Sequence, residues 1–254
     1  MSIKESAQIL RLPYTRVYYE QCAKEAHRKD MSHLEFLECL LENEVLLRQE
    51  NSIKTRMKNA KFPYQMVLDD YKRKHLSVEI RNKIKELETL EFVDNGENII
   101  LIGNPGTGKT ALSIAIGTKA CHEGKKVLFI SIPTLLIELK EAMNQNQITM
   151  YKRRFESYDL VILDELGYCT FDKDRGEVLF NLLSSRNEKG SMIFTSNLTF
   201  ERWNEVFKDP ILTGAIIDRL AYKSHLIDMS GDSYRLLATQ EWNEKKKKDK
   251  AHDS

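Results

Sequence analysis

The feature of this sequence that most constrains its fold is a glycine-rich segment, GNPGTGKT, at positions 103–110. The segment fits the pattern G-x-x-x-x-G-K-T and directly follows an apolar run at 98–102 that is typical of a buried parallel strand. Glycines allow a tight turn that points backbone N–H groups inward, and a helix that begins near Lys109 adds the positive end of its dipole. We therefore expect a strand–loop–helix unit that binds phosphate. The alternative, a glycine-rich turn without a ligand, does not require the complete pattern.

The binding of a nucleotide would explain why the segment ends in a lysine and a threonine. Lys109 is expected to reach the β- and γ-phosphates, and the hydroxyl of Thr110 is expected to coordinate Mg²⁺. We expect the walls of the adenine pocket to be formed by residues around 68–76 and 90–93. The predicted nucleotide contacts in the loop are Gly103, Asn104, Pro105, Gly106, Thr107, Gly108, Lys109, Thr110 and Ala111.

A second apolar run, LVILDE at 160–165, ends in two adjacent carboxylates. Alone it could be a strand that runs into a surface turn. Because the carboxyl ends of parallel strands meet at one edge of a sheet, we expect Asp164 to hold Mg²⁺ through water, together with Thr110. Phosphoryl transfer to water needs positioning and charge neutralisation, so Glu165 is expected to polarise the attacking water. The carboxylate pair favours ATP hydrolysis over nucleotide-gated binding alone.

Three further polar side chains are candidates for the same site. Asn197 follows the apolar run 192–196 and is expected to touch the γ-phosphate or water, although it could instead cap the next helix, where Thr199 competes. Arg219 lies in an apolar helical segment and could pair with a carboxylate such as Asp218, or reach the γ-phosphate bound by an adjacent subunit. Arg235 could contact the phosphates of its own subunit or cap the last strand.

Apolar strand patterns alternate with helical patterns from residue 97 onward, which predicts an α/β fold with a parallel sheet covered by helices on both faces. The strand candidates are 98–102, 126–131, 159–163, 192–196 and 225–229. The helix candidates are 109–122, 133–143, 147–156, 175–188 and 210–221.

The first part of the chain is predicted to be helical. Ser32 and Glu35 form a capping box, and the leucines that follow recur at helical spacing into a basic segment, which predicts one long helix that ends before Pro63. A second helix is expected near 77–94. We predict a helical N-terminal domain at 1–65, the α/β domain at 66–240 and a lysine-rich, disordered tail at 241–254.

Charge is distributed unevenly, although the net charge is only +1. Residues 48–85 contain eleven Lys and Arg residues against four Asp and Glu residues. This asymmetry is typical of a polyanion-binding surface attached to an ATPase, and the alternative for any single cluster is a solvated helix face. The candidate contacts to nucleic acid are Lys54, Arg56, Lys58 and Lys61, with Lys152, Arg153 and Arg154 as a second possibility.

The sequence has no apolar run long enough to span a membrane and no apolar signal-peptide core at its N-terminus, so we expect a cytoplasmic protein. Its four cysteines are scattered and are expected to be free thiols. The cysteines and histidines have no zinc-ligand spacing, which argues against a metal site built from them.

Several segments together resemble the AAA+ ATPases of the helicase-loader clade, and IstB-like proteins in particular: GNPGTGKT, LVILDELGY, FTSN, and IIDRL followed by GDSYR. The resemblance extends over residues 30–237 and includes the segments 60–64 (AKFPY) and 90–93 (LEFV). One position departs from the family. Ala111 stands where members commonly have a histidine after G-K-T, so no role of that histidine carries over.

The resemblance implies an AAA+ P-loop core preceded by a small helical domain. It also implies an ATP- and Mg²⁺-dependent protein that assembles as a homo-oligomer on double-stranded DNA, remodels that DNA, and recruits and stimulates the transposase encoded by the same element. Three other functions remain open: a replicative helicase loader, a nucleotide-gated binding module without hydrolysis, and a metabolic P-loop kinase.

Overall fold

The structure is a computed structural model that describes residues 1–73, 76–167, 171, 173–186, 189–231, 233, 234, 236, 239 and 242. The chain divides into two compact units, Met1–Thr55 and Arg56–Ser254. The predicted boundary at residue 65 stays a prediction. Of the predicted tail, only Trp242 lies within the described residues.

The N-terminal unit is helical, as predicted. It contains α1 (Ile3–Ile9), α2 (Pro13–Arg28) and the first part of α3 (His33–Ala60). The capping box that precedes α3 is confirmed, because Ser32 N–H donates to Glu35 Oε2 (2.7 Å) and Glu35 N–H donates to Ser32 Oγ (3.3 Å). The start of α2 lacks a capping side chain of its own. Instead the buried carboxylate of Glu44 accepts hydrogen bonds from the N–H (3.0 Å) and hydroxyl (3.3 Å) of Thr15.

The second unit contains a parallel sheet, which confirms the predicted α/β fold. Its described strands are β1 (Asn98–Ile102), β2 (Val127–Ser131), β3 (Leu160–Leu166), β4 (Ser191–Ser196) and β5 (Ser224–Asp228). Every strand pairs in parallel, and their order in the sheet is β2-β3-β4-β1-β5. The strand β4 therefore lies between β1 and β3, which carry the two predicted motifs.

The five helices predicted between the strands are confirmed to within three residues at each end, and two helices lie between α3 and β1. The described helical elements after α3 are α4 (Val78–Leu87), α5 (Glu91–Asp94), α6 (Lys109–His122), α7 (Ile132–Asn144), α8 (Ile148–Glu156), α9 (Lys173–Ser185), a 3₁₀ turn (Phe200–Arg202), α10 (Asn204–Phe207) and α11 (Pro210–Ala221). The prediction of one helix over 77–94 was wrong. The chain leaves the helix after Leu87, and Leu90 adopts a left-handed conformation (φ 63°) while its side chain is buried in the core.

Apolar side chains cover both faces of the sheet. Successive residues of a strand point to opposite faces, so Ile100 and Phe194 belong to one buried cluster while Ile99 and Ile193 belong to another. The first cluster includes residues of α7, α9 and α11, and the second includes residues of α4 and α6. The expected three-layer arrangement of helix, sheet and helix is confirmed.

A buried arginine joins the starts of β3 and β4. The Arg186 guanidinium donates to the carbonyl oxygens of Phe155 (2.7 Å), Tyr158 (2.6 Å) and Ser191 (3.2 Å). Burial lowers the pKa of Arg186 to about 10, so the side chain stays charged at neutral pH. This side chain ties the segment before β3 to the first residue of β4.

Within the described ranges, no helix combines the length and the apolar character that crossing a lipid bilayer requires. Cys22, Cys39 and Cys121 are free thiols, and Cys169 lies outside the described residues.

Candidate nucleotide-binding site

The glycine-rich segment forms a loop between β1 and α6, and α6 begins at Lys109 as predicted. Gly103 shows why the loop needs glycine. Its φ is 148°, and a Cβ atom there would lie 2.6–2.8 Å from backbone atoms of Met229 and Ser230. No other residue type fits without displacing that backbone.

The Lys109 ammonium lies against its own loop. Its Nζ donates to the carbonyl oxygens of Gly103 (2.6 Å) and Asn104 (2.7 Å) and lies 3.4 Å from Thr107 Oγ1. The Thr107 hydroxyl also donates to Asn104 O at 3.0 Å. These bonds hold a positive charge at the N-terminus of α6, where backbone N–H groups and the helix dipole favour an anion.

The two predicted motifs meet through a direct hydrogen bond. The Thr110 hydroxyl lies 2.9 Å from Asp164 Oδ1 and 3.2 Å from Oδ2. Asp164 is almost completely buried, at 5% exposure, and lies on β3. A hydroxyl and a carboxylate side by side are oxygen ligands of the kind that Mg²⁺ binds, often with water between metal and protein.

Thr195 on β4 links the two carboxylate residues and was missed by the sequence analysis. Its hydroxyl donates to Asp164 Oδ1, and Thr195 Oγ1 also accepts a hydrogen bond from the backbone N–H of Glu165 at 3.1 Å. The threonine is buried at 2% exposure. Its place at the end of an apolar strand was the available signal, but its partners depend on the pairing of β3 with β4.

Glu165 has an unusual backbone conformation for a glutamate. Its φ is 68°, and the pairing of β3 with β4 shifts register between Leu163 and Leu166. The left-handed conformation costs a residue with a Cβ atom roughly 1–2 kcal/mol, and such strain is concentrated at functional sites. The side chain is exposed and lines the same pocket as Lys109.

Asn197 directly follows β4, and its Oδ1 is buried without a hydrogen-bond partner among the described residues. It lies close to the chain after β3, because a Cβ atom on Gly167 would be 2.3 Å from this oxygen. The alternative role as a helix cap does not apply, since Thr199 is the N-cap residue of the following 3₁₀ turn. The Asn197 side chain thus supplies an unsatisfied acceptor to the site.

These groups surround one open pocket of about 320 Å³. Its lining carries the charges of Lys109, Asp164 and Glu165, so carboxylates outnumber cations and a bound cation would balance them. Predicted residues in the lining are Pro105, Gly106, Gly108, Lys109, Thr110, Ala111, Asp164, Glu165 and Asn197. Residues that the sequence analysis did not single out are Tyr64, Thr195, Ser196 and Tyr234.

Of the two arginines predicted to contact phosphates, the structure describes only Arg219. Arg219 lies in the last turn of α11, with its guanidinium 5.7 Å from the centre of the Phe180 ring. It neither lines the pocket nor forms an ion pair with any residue that the structure describes. The alternative of an ion pair with Asp218 therefore gains no support. Arg235 lies outside the described residues.

The candidate DNA contacts have several partners within the chain. Lys54 lies 3.7 Å from Glu50, and Arg56 Nε donates to the Cys121 carbonyl at 2.7 Å. Lys58 and Arg153 are exposed and Lys152 is half-buried.

Two of these basic segments meet in the second unit. Lys61 Nζ and Arg154 Nη2 each lie 3.5 Å from a different carboxylate oxygen of Glu138 on α7. The Tyr151 hydroxyl donates to the same carboxylate at 2.8 Å. Residues far apart in the sequence thus form one cluster, the Glu138 cluster, which consists of Lys61, Glu138, Tyr151 and Arg154.

Solved structures with similar folds include DnaI and the DnaC helicase loader. DnaI superposes with a TM-score of 0.55 at 23% sequence identity, over 64% of this chain and 90% of DnaI. The DnaC helicase loader superposes with a TM-score of 0.53 at 20% identity, over 64% of this chain and 95% of the loader chain. These similarities confirm the predicted fold of the core.

Sequence comparison extends over nearly the whole chain. The ATP-binding protein of insertion sequence IS21 from Pseudomonas aeruginosa is 35% identical over 227 residues, 89% of this chain and 86% of the relative. The corresponding protein of IS5376 from Geobacillus stearothermophilus is 35% identical over 245 residues, 96% of this chain and 98% of the relative. The profile of the family described as IstB-like ATP binding protein matches residues 5–241. The chain therefore belongs to the family of IstB-like ATP-binding proteins.

Proposed function

We propose that this protein binds ATP with Mg²⁺, hydrolyses it to ADP and phosphate, and uses that cycle to assemble on double-stranded DNA and recruit the transposase of its own element. The observation that carries the ATPase part is the bond between Thr110, at the end of the phosphate loop, and Asp164, at the end of a second strand. It supports a metal-binding pair beside an anion-binding loop.

Each residue has a distinct part in this proposal. The loop N–H groups and Lys109 bind the phosphates, and Thr110 and Asp164 hold Mg²⁺. When bound, Mg²⁺ neutralises negative charge on the phosphates. Asp164 keeps its orientation because the Thr195 hydroxyl bonds one of its oxygens.

Glu165 polarises the water that attacks the γ-phosphorus. A new bond forms between the water oxygen and phosphorus, the bond from phosphorus to the bridging oxygen of ADP breaks, and the water proton passes towards the carboxylate. Thr195 fixes the backbone of Glu165, and the unsatisfied Asn197 oxygen is available to orient the water. Positioning of this kind is the main source of catalysis in phosphoryl transfer.

The transposition role is supported by the relatives. Their names describe ATP-binding proteins of insertion sequences, and identity extends over most of each chain. Helicase loading is the alternative, because the DnaC helicase loader shares the fold at lower identity. A transposase gene directly beside the gene for this protein would favour the transposition role. If no genome that carries the gene for this protein had a transposase gene beside it, helicase loading would be favoured.

DNA binding is assigned to the basic residues of segment 48–85 and to the Glu138 cluster. We place DNA and partner binding mainly in residues 1–65 and the ATPase in 66–240, within a cytoplasmic homo-oligomer. The Glu138 cluster supports a contribution from the ATPase domain, because Glu138 and Arg154 of that domain lie beside Lys61. Arg219 is assigned to the ATP site of a neighbouring subunit, and its lack of an ion pair among the described residues is compatible with that role.

The ATPase proposal is tested by separating ATP binding from turnover. Lys109→Ala should abolish ATP binding, whereas Glu165→Gln should keep binding and lose phosphate release, since it removes the water-polarising carboxylate alone. Both are measured by equilibrium ATP binding and by phosphate release with DNA present. A Glu165→Gln variant that hydrolyses ATP at the parent rate contradicts the assignment.

The DNA proposal is tested through salt dependence. Each neutralised phosphate contributes about −0.9 to the slope of log K against log salt concentration. Lys61→Gln and Arg154→Gln should therefore each make that slope less negative by about 0.9. Lys189→Gln is the matched control, because Lys189 is also an exposed lysine paired with a glutamate, Glu156. Equal slopes for all variants and the parent would exclude the Glu138 cluster from the DNA contacts.

A further inference from the structure

The hydroxyl of a buried tyrosine lies beside the phosphate loop. Tyr71 is 6% exposed, and its hydroxyl forms no hydrogen bond with any described residue. A hydroxyl in that position loses its bonds to water on folding and gains nothing in return. An unsatisfied polar atom of this kind in a native protein needs a reason.

The position of the ring gives that reason. The place that a Cβ atom on Gly108 would take lies 3.0 Å from the Tyr71 hydroxyl oxygen and 3.4 Å from Cε2. Gly108 is the N-cap residue of α6 and directly precedes Lys109. The hydroxyl is therefore held against the loop segment that lines the candidate nucleotide pocket.

We propose that the Tyr71 hydroxyl donates a hydrogen bond to the bound nucleotide and positions it against the phosphate loop. The inference rests on the proposed function, since it requires the loop to bind a nucleotide. Burial raises the pKa of Tyr71 above its usual value, against a smaller opposing effect of Arg73, so the hydroxyl keeps its proton at neutral pH. The acceptor is an oxygen or nitrogen of the nucleoside monophosphate part, common to ATP and ADP.

The test is Tyr71→Phe, which removes the hydroxyl and keeps the ring. Without nucleotide, the variant should unfold at the same or a higher temperature than the parent, because it loses an unsatisfied buried polar atom. Its Kd for ATP with Mg²⁺, measured by calorimetric titration, should rise about tenfold, as for the loss of one hydrogen bond. Loss of a hydroxyl with a purely structural role would not combine an unchanged or higher unfolding temperature with weaker ATP binding.

Tyr158→Phe is the matched control, because Tyr158 is a half-buried tyrosine just before β3, at the opposite end of the parallel strands from the phosphate loop. Its ATP affinity should equal that of the parent. A parallel titration with GTP locates the acceptor: equal losses for ATP and GTP point to the ribose or α-phosphate, and a loss confined to ATP points to the base.

Two results would overturn the inference. One is that the parent protein binds ATP and the Tyr71→Phe variant binds it with the same Kd. The other is a nucleotide-free variant that unfolds at a lower temperature, because the hydroxyl would then have a stabilising partner within the protein. A parent that binds no nucleotide would instead refute the proposed function, and the two failures are therefore distinguishable.

Discussion

Thr195→Val is the substitution that most directly tests how the site is held together. Valine keeps the branched shape of threonine and removes one oxygen atom. That oxygen donates to Asp164 Oδ1 and accepts the N–H of Glu165. Both carboxylate residues lose an interaction, although neither is itself changed.

The magnitude follows from those two bonds. A hydrogen bond to a charged group contributes about 1.5–3 kcal/mol and a neutral one about 0.5–1.5 kcal/mol, so the free energy of unfolding should fall by roughly 2–4 kcal/mol. For a chain of this size that corresponds to a decrease of roughly 5–15 °C in Tm. Turnover should fall by about 10²-fold, because Glu165 loses the bond that fixes its backbone and small displacements of a catalytic group are costly.

The assay combines denaturant unfolding with ATP binding and phosphate release. Thr118→Val is the matched control, since Thr118 is also buried, at 4% exposure, while its hydroxyl has no partner among the described residues. That variant should be as stable as the parent or more so. If both valine variants had the parent's stability and turnover, Thr195 would not organise the site, and the reasoning from its two bonds would be refuted.

Three other substitutions and measurements test separate features. Mixing Arg219→Ala subunits with Lys109→Ala subunits on DNA should recover ATPase activity that each lacks alone, because an intact arginine then faces an intact loop; a mixture that assembles but stays inactive contradicts the role in trans. Arg186→Met should lower the free energy of unfolding by roughly 3 kcal/mol or more, since three buried carbonyl groups lose their donor, and parent-like denaturant unfolding would refute this. Burial raises the pKa of the Cys121 thiol to about 11, so at pH 8 iodoacetamide should modify Cys121 far more slowly than the partly exposed Cys22, as read by mass spectrometry; equal rates would contradict it.

The sequence alone was sufficient to predict the features that depend on interactions between residues close together in the chain. The phosphate loop, the start of α6 at Lys109 and the capping box at Ser32 depend on residues within a few positions of each other. The break between α4 and α5 was not predictable in this way. Leu90 is a good helix former, and it leaves the helical conformation where its side chain enters the core.

The missed parts of the site depend on contacts between distant segments. Thr195 acquires its role from the register of β4 against β3, and Tyr71 from the approach of its segment to Gly108. No role was predicted for either side chain, although Thr195 belongs to the FTSN segment. The pairing of Lys61 with Glu138 likewise joins α7 to a segment far away in the sequence, so it could not be inferred from charge counts.

The position of β4 between β1 and β3 also determines when the site can form during synthesis. The strands that carry the phosphate loop and the Asp164–Glu165 pair both precede β4 in the chain, but each pairs with β4 and not with the other. A nascent chain that ends before Ser191 therefore has both motifs and no strand to join them. Because parallel pairing across long sequence separations is slow to form, catalytic competence should appear late, after β4 has left the ribosome. A product truncated within α9 would carry both motifs without a nucleotide site.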